Sequence, residues 1–212
     1  VFANTIEDAE KSLSTSLRLL KTDCIDLLYY HGLGNLNIER AFESDGVFTW
    51  LVKQKKAGKC RFLGCTSHNL PGRFAKFLET GEVDAILVTL NFVDCHTYDF
   101  EQRVLPLARK HGAGVVAMKV YGGGAGLNYK RPGPAHLDLQ YIPQSLRYVL
   151  SLPDVASANL GCSSADQVRN NARMAREFVP LSADEAASLQ TVGRRLAAEW
   201  GPYLGPVQEK AV

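Results

Sequence analysis

Five short apolar runs, each followed by a helical pattern, constrain this chain more than any other feature. The runs are 24–31 (CIDLLYYH), 59–66 (KCRFLGCT), 83–90 (VDAILVTL), 114–120 (GVVAMKV) and 155–160 (VASANL). They are apolar at successive positions rather than at every second one. A strand covered on both faces reads this way, as in a parallel sheet. Helices are predicted between them. Asn4 is placed as an N-cap with Glu7 three residues on, before Ile6, Ala9, Leu13, Leu17 and Leu20 at helical spacing. Further helices are expected over 43–57, over 71–80 behind Pro71, over 100–111, over 143–151 and over 164–175. A last one starts at Ser182, with Glu185 at the capping-box position, and runs to about Glu199. The segment from Gly122 through Pro132 and Pro134 to Tyr141 reads as a long irregular loop, and 201–212 as an extended tail.

Strands alternating with helices imply βαβ units and a parallel sheet. Two architectures satisfy that pattern: an open doubly wound sheet, and a (β/α)8 barrel. The first should carry GxGxxG between a strand and its helix, and no such motif occurs. Gly122-Gly123-Gly124 leads into a loop instead. A formal net charge of +2 gives no basic field for nucleic acid, and no apolar run approaches the roughly 20 residues of a membrane span. No signal segment opens the sequence. The five cysteines, Cys24, Cys60, Cys65, Cys95 and Cys162, form no CxxC pair. They read as buried, reduced thiols of a cytoplasmic protein.

In parallel α/β folds, ligands sit at the carboxyl ends of the strands. Here those ends carry His31-Gly32, 66–69 (TSHN), 91–94 (NFVD), 119–121 (KVY) and 161–164 (GCSS). An imidazole at His31 suits hydrogen bonding to a carbonyl or proton transfer. Thr66, Ser67 and Asn69 offer groups for a carboxamide or phosphate, and equally for ordinary turns. Asn91 carries the same two readings. Ser163 and Ser164 precede a helix, as N-caps or as part of a phosphate site.

These residues resemble the aldo-keto reductase family. Residues 12–27 (SLSTSLRLLKTDCIDL) followed by His31 are similar to the family's SLxxLxxxYIDL helix, which runs into the fourth barrel strand and its catalytic histidine. GKCRFLGCTS at 58–67 resembles GKIRxIGVSN at the fifth strand, and HGAGVVAM at 111–118 resembles HGIGVIAY at the seventh. SLRYVLSLP at 145–153 resembles the helix before the eighth strand, and GCSSADQVRNN at 161–171 the phosphate and adenine segment.

The resemblance implies an α/β fold of the (β/α)8 TIM-barrel type, incomplete here, with strands four to eight in residues 1–200 and a tail at 201–212. It implies NADP(H)-dependent reduction of a small carbonyl substrate, with NAD as an alternative cofactor. His31 takes the catalytic place. Thr66, Ser67, Met118, Lys119, Gly161, Ser163, Ser164, Gln167 and Asn171 take cofactor places. Arg169 and Arg173 are candidates for a 2′-phosphate.

Several positions depart from the family pattern. Thr66-Ser67 lacks the amide of Ser-Asn. Leu87 stands for a carboxamide-binding Gln, Met118 for the aromatic that stacks on nicotinamide, and Asn170 for a Glu. The family's catalytic Asp, Tyr and Lys belong to its first three strands and have no counterpart here. The chain is therefore expected to be a fragment, weakly active alone and prone to self-association through unpaired sheet edges. Substrate choice is expected from the loop over 122–141 and from Trp200 and Tyr203. Two rivals remain: a metal-dependent barrel hydrolase using His31, His68 and His96 with Asp94 nearby, and a barrel remnant that binds nucleotide without catalysis.

Overall fold

The computed structural model describes residues 1–123 and 135–209. Within them β1 (Ile25–Tyr30), β2 (Cys60–Ser67), β3 (Ala85–Thr89), β4 (Gly114–Met118) and β5 (Val155–Ala158) form one sheet in chain order. Each adjacent pair is parallel, with Tyr29 beside Gly64, Thr66 beside Leu87 and Thr89 beside Met118. That order decides between the two architectures. Parallel crossovers are right-handed, so a chain that always steps to the same side lays its helices on one face. A doubly wound sheet reverses direction at a switch point to cover both faces. No reversal occurs here, and the sheet is five consecutive units of a (β/α)8 wall.

Pleating assigns the two faces. Leu28, Tyr30, Leu63, Cys65, Ile86, Val88, Val115 and Ala117 are buried. Tyr30 stacks with Phe77 at 5.9 Å, and Phe77 meets Phe42 at 4.6 Å and Phe48 at 4.9 Å. Aromatic pairs at these separations add to the burial energy of the core. The alternate residues Leu27, Tyr29, Leu87 and Val116 are only half-buried, and Phe62 is 46% exposed. Gly64 leaves room for the Tyr29 ring: a Cβ there would lie 2.6 Å from two ring carbons.

The helices are α1 (Ile6–Leu20), α2 (Val47–Lys56), α3 (Phe74–Leu78), α4 (Phe100–Arg103), α5 (Leu105–Lys110), α6 (Ile142–Ser151), α7 (Ala165–Arg176) and α8 (Ala183–Trp200). The last two start as expected. Ser164 caps α7, and Ser182 and Glu185 close a capping box on α8. Other starts differ. Thr5, not Asn4, caps α1 by accepting from Asp8 N–H, while Asn4 Oδ1 accepts from Asn37 N–H. The 71–80 segment is a 3-10 turn, Pro71–Arg73, before the short α3. The 100–111 helix is broken at Val104, because Pro106 has no N–H and its ring would strike the carbonyl of Gln102. β4 stops at Met118, since Lys119 turns left-handed with φ 57°.

Two boundaries bear on the site. At the β1 edge, Val1 N–H donates to Tyr29 O at 2.7 Å and Val1 O accepts from His31 N–H at 2.8 Å, the bonding of a parallel neighbour. The described tail residues, 201–209, form neither helix nor strand, yet they pack down. Tyr203 OH donates to Asp94, Leu204 N–H to Tyr98 OH, Asn69 Nδ2 to Pro206 O, and Arg73 pairs with Glu209. Most of the expected specificity loop, 124–134, lies outside the described residues.

Candidate active site

The carboxyl ends of the strands meet in a cleft of about 490 Å3. β1 contributes His31, the turn after β2 His68, and β3 Leu87. The end of β4 supplies 118–122, and the chain after β5 supplies 159–161; His136 closes one side. Leu87, Met118, Val120 and Leu160 make an apolar lining, and the ionisable lining groups are His31, His68, Lys119, Tyr121 and His136. Among the described lining residues Lys119 is the one fixed charge, set beside an apolar wall.

Local bonding fixes His31. Thr66 Oγ1 accepts from Gly32 N–H at 2.9 Å and lies 3.1 Å from His31 Nδ1. Where the Thr66 hydroxyl donates to Nδ1, the neutral imidazole carries its proton on Nε2. Burial lowers the His31 pKa below its ordinary value, so the ring stays neutral at neutral pH. A neutral ring carrying Nε2–H is a hydrogen-bond donor for a carbonyl oxygen. Burial also drives His68 down to about 4, with Lys119 and His31 adding to the effect. Lys119 is lowered by burial and held up by Asp94.

The expected site residues divide into three groups. His31, Met118, Lys119 and Gly161 line the cleft. Gly161 faces open space where a Cβ would meet nothing within 4 Å. Thr66 and Ser67 are each 1% exposed, with their hydroxyls already committed. Ser67 Oγ accepts from Gly34 N–H at 3.0 Å and donates to Asn69 O at 2.6 Å. They shape the loops around His31 rather than facing the cleft. Ser163, Ser164 and Gln167 form the exposed start of α7: Ser163 N–H donates to Gln167 Oε1, and Ser164 Oγ accepts from Gln167 N–H. Asn171 accepts from Tyr121 OH at 2.9 Å, which ties α7 to the end of β4.

Tyr121, in the strand end 119–121 that the sequence placed at the ligand side, also lines the cleft, as do His136 and Asn159, which the sequence did not single out. His136 returns beside Gly122 through one antiparallel bridge, and no local pattern announces that. Cys162 is exposed at the rim, unlike the buried thiol expected; Asn171 Nδ2 donates to its Sγ at 3.2 Å. The three histidines of the hydrolase reading do not converge. His96 Nε2 is buried near Gly193 of α8, and among the described residues no three His, Cys, Asp or Glu side chains are placed to hold a metal.

The aldo/keto reductase family model matches residues 2–194, nearly the whole chain. The chain belongs to the aldo/keto reductase family. It is 26% identical over 210 residues to the uncharacterized oxidoreductase YqkF of Bacillus subtilis (strain 168), covering 86% of this chain and 64% of that protein. The holo form of aldo-keto reductase AKR11C1 from Bacillus halodurans superposes with a TM-score of 0.66 at 26% identity, over 87% of this chain and 64% of that one. An aldo/keto reductase from Klebsiella pneumoniae in complex with NADP and acetate shares the fold, with a TM-score of 0.63 at 20% identity over 87% of this chain and 64% of its own. The chain therefore spans just under two thirds of the length of these relatives.

Proposed function

We propose that this chain is the cofactor-binding part of an NADP(H)-dependent aldo-keto reductase acting on a small carbonyl substrate. The observation that carries the reading is the cleft, where Lys119 is the one fixed charge of the described lining, with a neutral His31 at one end. The residues present fit such a cofactor in part. Lys119 and the α7 start, with Gly161, Ser163, Ser164, Gln167 and Asn171, suit its phosphates and adenosine. Leu87 and Met118 offer an apolar wall to a ring. Thr66 and Ser67 do not fit as direct carboxamide ligands, because their hydroxyls are buried and used. Their role in this reading is to hold His31 and its loop.

The bound cofactor would supply the hydride for carbonyl reduction. His31 Nε2–H would hold the substrate oxygen, oriented by the Thr66 hydroxyl on the far side of the ring. Leu87, Met118 and Leu160 would keep water from the reacting face. The family's proton-donating tyrosine, with its lysine and aspartate, is not among these residues, so the chain on its own is expected to bind NADPH without appreciable turnover. NADP rather than NAD follows the Klebsiella relative's ligand, and a comparison of NADPH with NADH checks it; Arg169 is already bonded to Asp166. No helix among the described residues is long and apolar enough to cross a membrane. Free thiols at all five cysteines fit a cytoplasmic setting, and β5, an edge strand of the sheet among the described residues, fits self-association.

Fluorescence titration with NADPH, with and without an aldehyde, tests the reading. Saturable binding without turnover is the expected outcome. Absence of binding at millimolar NADPH removes the reading, and steady turnover removes the dependence on further residues.

A further inference from the structure

Lys119 is the one residue that brings a fixed positive charge to the described lining of the cleft, and it does so from an unfavourable backbone conformation. At φ 57° its Cβ crowds the following carbonyl, which neighbouring contacts must offset. Its carbonyl oxygen accepts from Gly122 N–H at 2.8 Å and from Asn91 Nδ2 at 2.9 Å. Asn91 is fully buried and its amide is saturated. Its Oδ1 accepts from Val93 N–H at 2.9 Å and Asp94 N–H at 2.7 Å, and its Nδ2 also donates to Asp94 Oδ2 at 2.7 Å. With two donors and two acceptor sites all used, the amide has one orientation.

Asp94 in turn is 2% exposed, and its Oδ2 accepts from Tyr203 OH at 2.9 Å. Tyr203 lies 109 positions away in the sequence, in the tail. There it is held edge-on by Trp200 at 5.7 Å, and by close approach to Gly123, where a Cβ would have no room against the ring. The next residue bonds again: Leu204 N–H donates to the buried Tyr98 hydroxyl at 2.7 Å. The chain of contacts thus runs from the tail through Asp94 and Asn91 to the backbone of Lys119.

We propose that Tyr203 is a positioning residue for the cleft: by holding Asp94 it sets, through Asn91, the left-handed backbone of Lys119 and the place of the lysine charge among the groups that would meet a phosphate. This rests on the reading of the cleft as a cofactor site only for the ligand, a phosphate-bearing nucleotide. The positioning itself is a property of the unliganded chain. The charged and titratable groups around it are Asp94 on the β3 loop, Lys119 after β4, His68 after β2, and Tyr203 in the tail. Burial pushes Asp94 up to about 6, while Asn91, Tyr203 and Lys119 each favour its carboxylate. Loss of the Tyr203 hydroxyl therefore also raises Asp94 further and weakens the partner that keeps Lys119 charged.

Two measurements on the purified full chain test this. The first needs no ligand: acetylation by N-hydroxysuccinimidyl acetate, followed residue by residue with mass spectrometry. Tyr203→Phe is expected to raise the labelling rate of Lys119 by about threefold or more, while Lys55, paired with Asp84, keeps its rate. An unchanged Lys119 rate overturns the proposal. The second is a double-mutant cycle on NADPH affinity. Tyr203→Phe and Lys119→Met are each expected to weaken binding by about tenfold, and the double variant by little more than Lys119→Met alone. Independent, additive losses overturn the proposal, because they would mean that Tyr203 acts on the fold and not through Lys119. A wild-type chain that binds no NADPH yet shows the labelling change removes the cofactor reading and leaves the positioning role standing. Should Tyr203→Phe fail to fold, Tyr98→Phe loosens the same stretch of tail and is expected to raise Lys119 labelling in the same direction.

Discussion

At the residue scale, two buried carboxyl groups contribute stability that is lost as pH rises. Glu101 accepts from Tyr148 OH with both oxygens, at 2.9 and 2.8 Å, and burial raises it from 4.5 to about 7. Asp94 moves from 3.8 to about 6 for the same reason. Each holds its proton more tightly in the folded chain than in the unfolded one. Their contribution is therefore full at the acid end and is lost as pH rises through the folded values, between about 4 and about 7. The neutral His68, pushed down to about 4, works the other way and adds stability as pH rises toward 6.5, so the carboxyl contribution is read against a variant. Between about pH 5 and about pH 8, urea unfolding is expected to show the wild type losing stability relative to Glu101→Gln, which keeps an acceptor for Tyr148. A variant whose stability follows that of the wild type over this interval would contradict the assignment. His31 makes a second residue-scale point. Thr66→Val removes the acceptor of Gly32 N–H and the partner of Nδ1 together, and is expected to cost about 1–3 kcal/mol in urea unfolding.

At the element scale, α8 shows propensity and packing pulling in opposite directions. Helix propensity alone says that Gly193→Ala should gain about 1 kcal/mol. Yet a Cβ at Gly193 would run into the Phe92 carbonyl oxygen, so α8 can lie this close to the loop after β3 only with glycine there. The expected outcome is a net loss of stability, read as a lower melting temperature. At the other end of the same helix, Ser182→Ala should cost about 1 kcal/mol through loss of its cap, measured by urea unfolding. These ends were legible because capping is local: Ser182-Glu185 and Ser164 announce themselves within four residues. Asn4 misled because Thr5 beside it can also cap, and Asn4, the stronger cap former, is taken by Asn37 N–H, distant in sequence. The break at Val104 was written in Pro106, whose missing N–H outweighs the continuous apolar spacing around it.

At the scale of the whole molecule, the sheet is a wall with one covered face. The helix-side residues are closed in, whereas Phe62 stands 46% exposed on the opposite face. Sedimentation velocity of the purified chain is expected to show association that rises with concentration, weakened by Phe62→Glu; a strictly monomeric wild type would remove this expectation. The tail belongs to this scale as well. Its sequence, with Pro202, Gly205 and Pro206, reads as a segment without regular structure, and its described residues, 201–209, form no helix or strand. Its packing is supplied by Asn69, Arg73, Asp94 and Tyr98, which come from the loops after β2 and β3.

The sequence by itself determined the five strands, their parallel pairing and the end of the sheet where ligand-facing groups gather. Apolar runs, caps and prolines act over a few residues, and strand ends are polar only where something must be bound or solvated. It also singled out His31, Met118, Lys119 and Gly161, which line the cleft. Only the tertiary structure decided that Thr66 and Ser67 spend their hydroxyls inside the loops, that His136 and Asn159 join the lining, and that Tyr203 reaches Asp94. Those outcomes depend on which donor meets which acceptor across tens of residues. A hydroxyl at a strand end is chemically suited both to a ligand and to a neighbouring N–H, and the folded backbone alone settles which of them lies within about 3 Å.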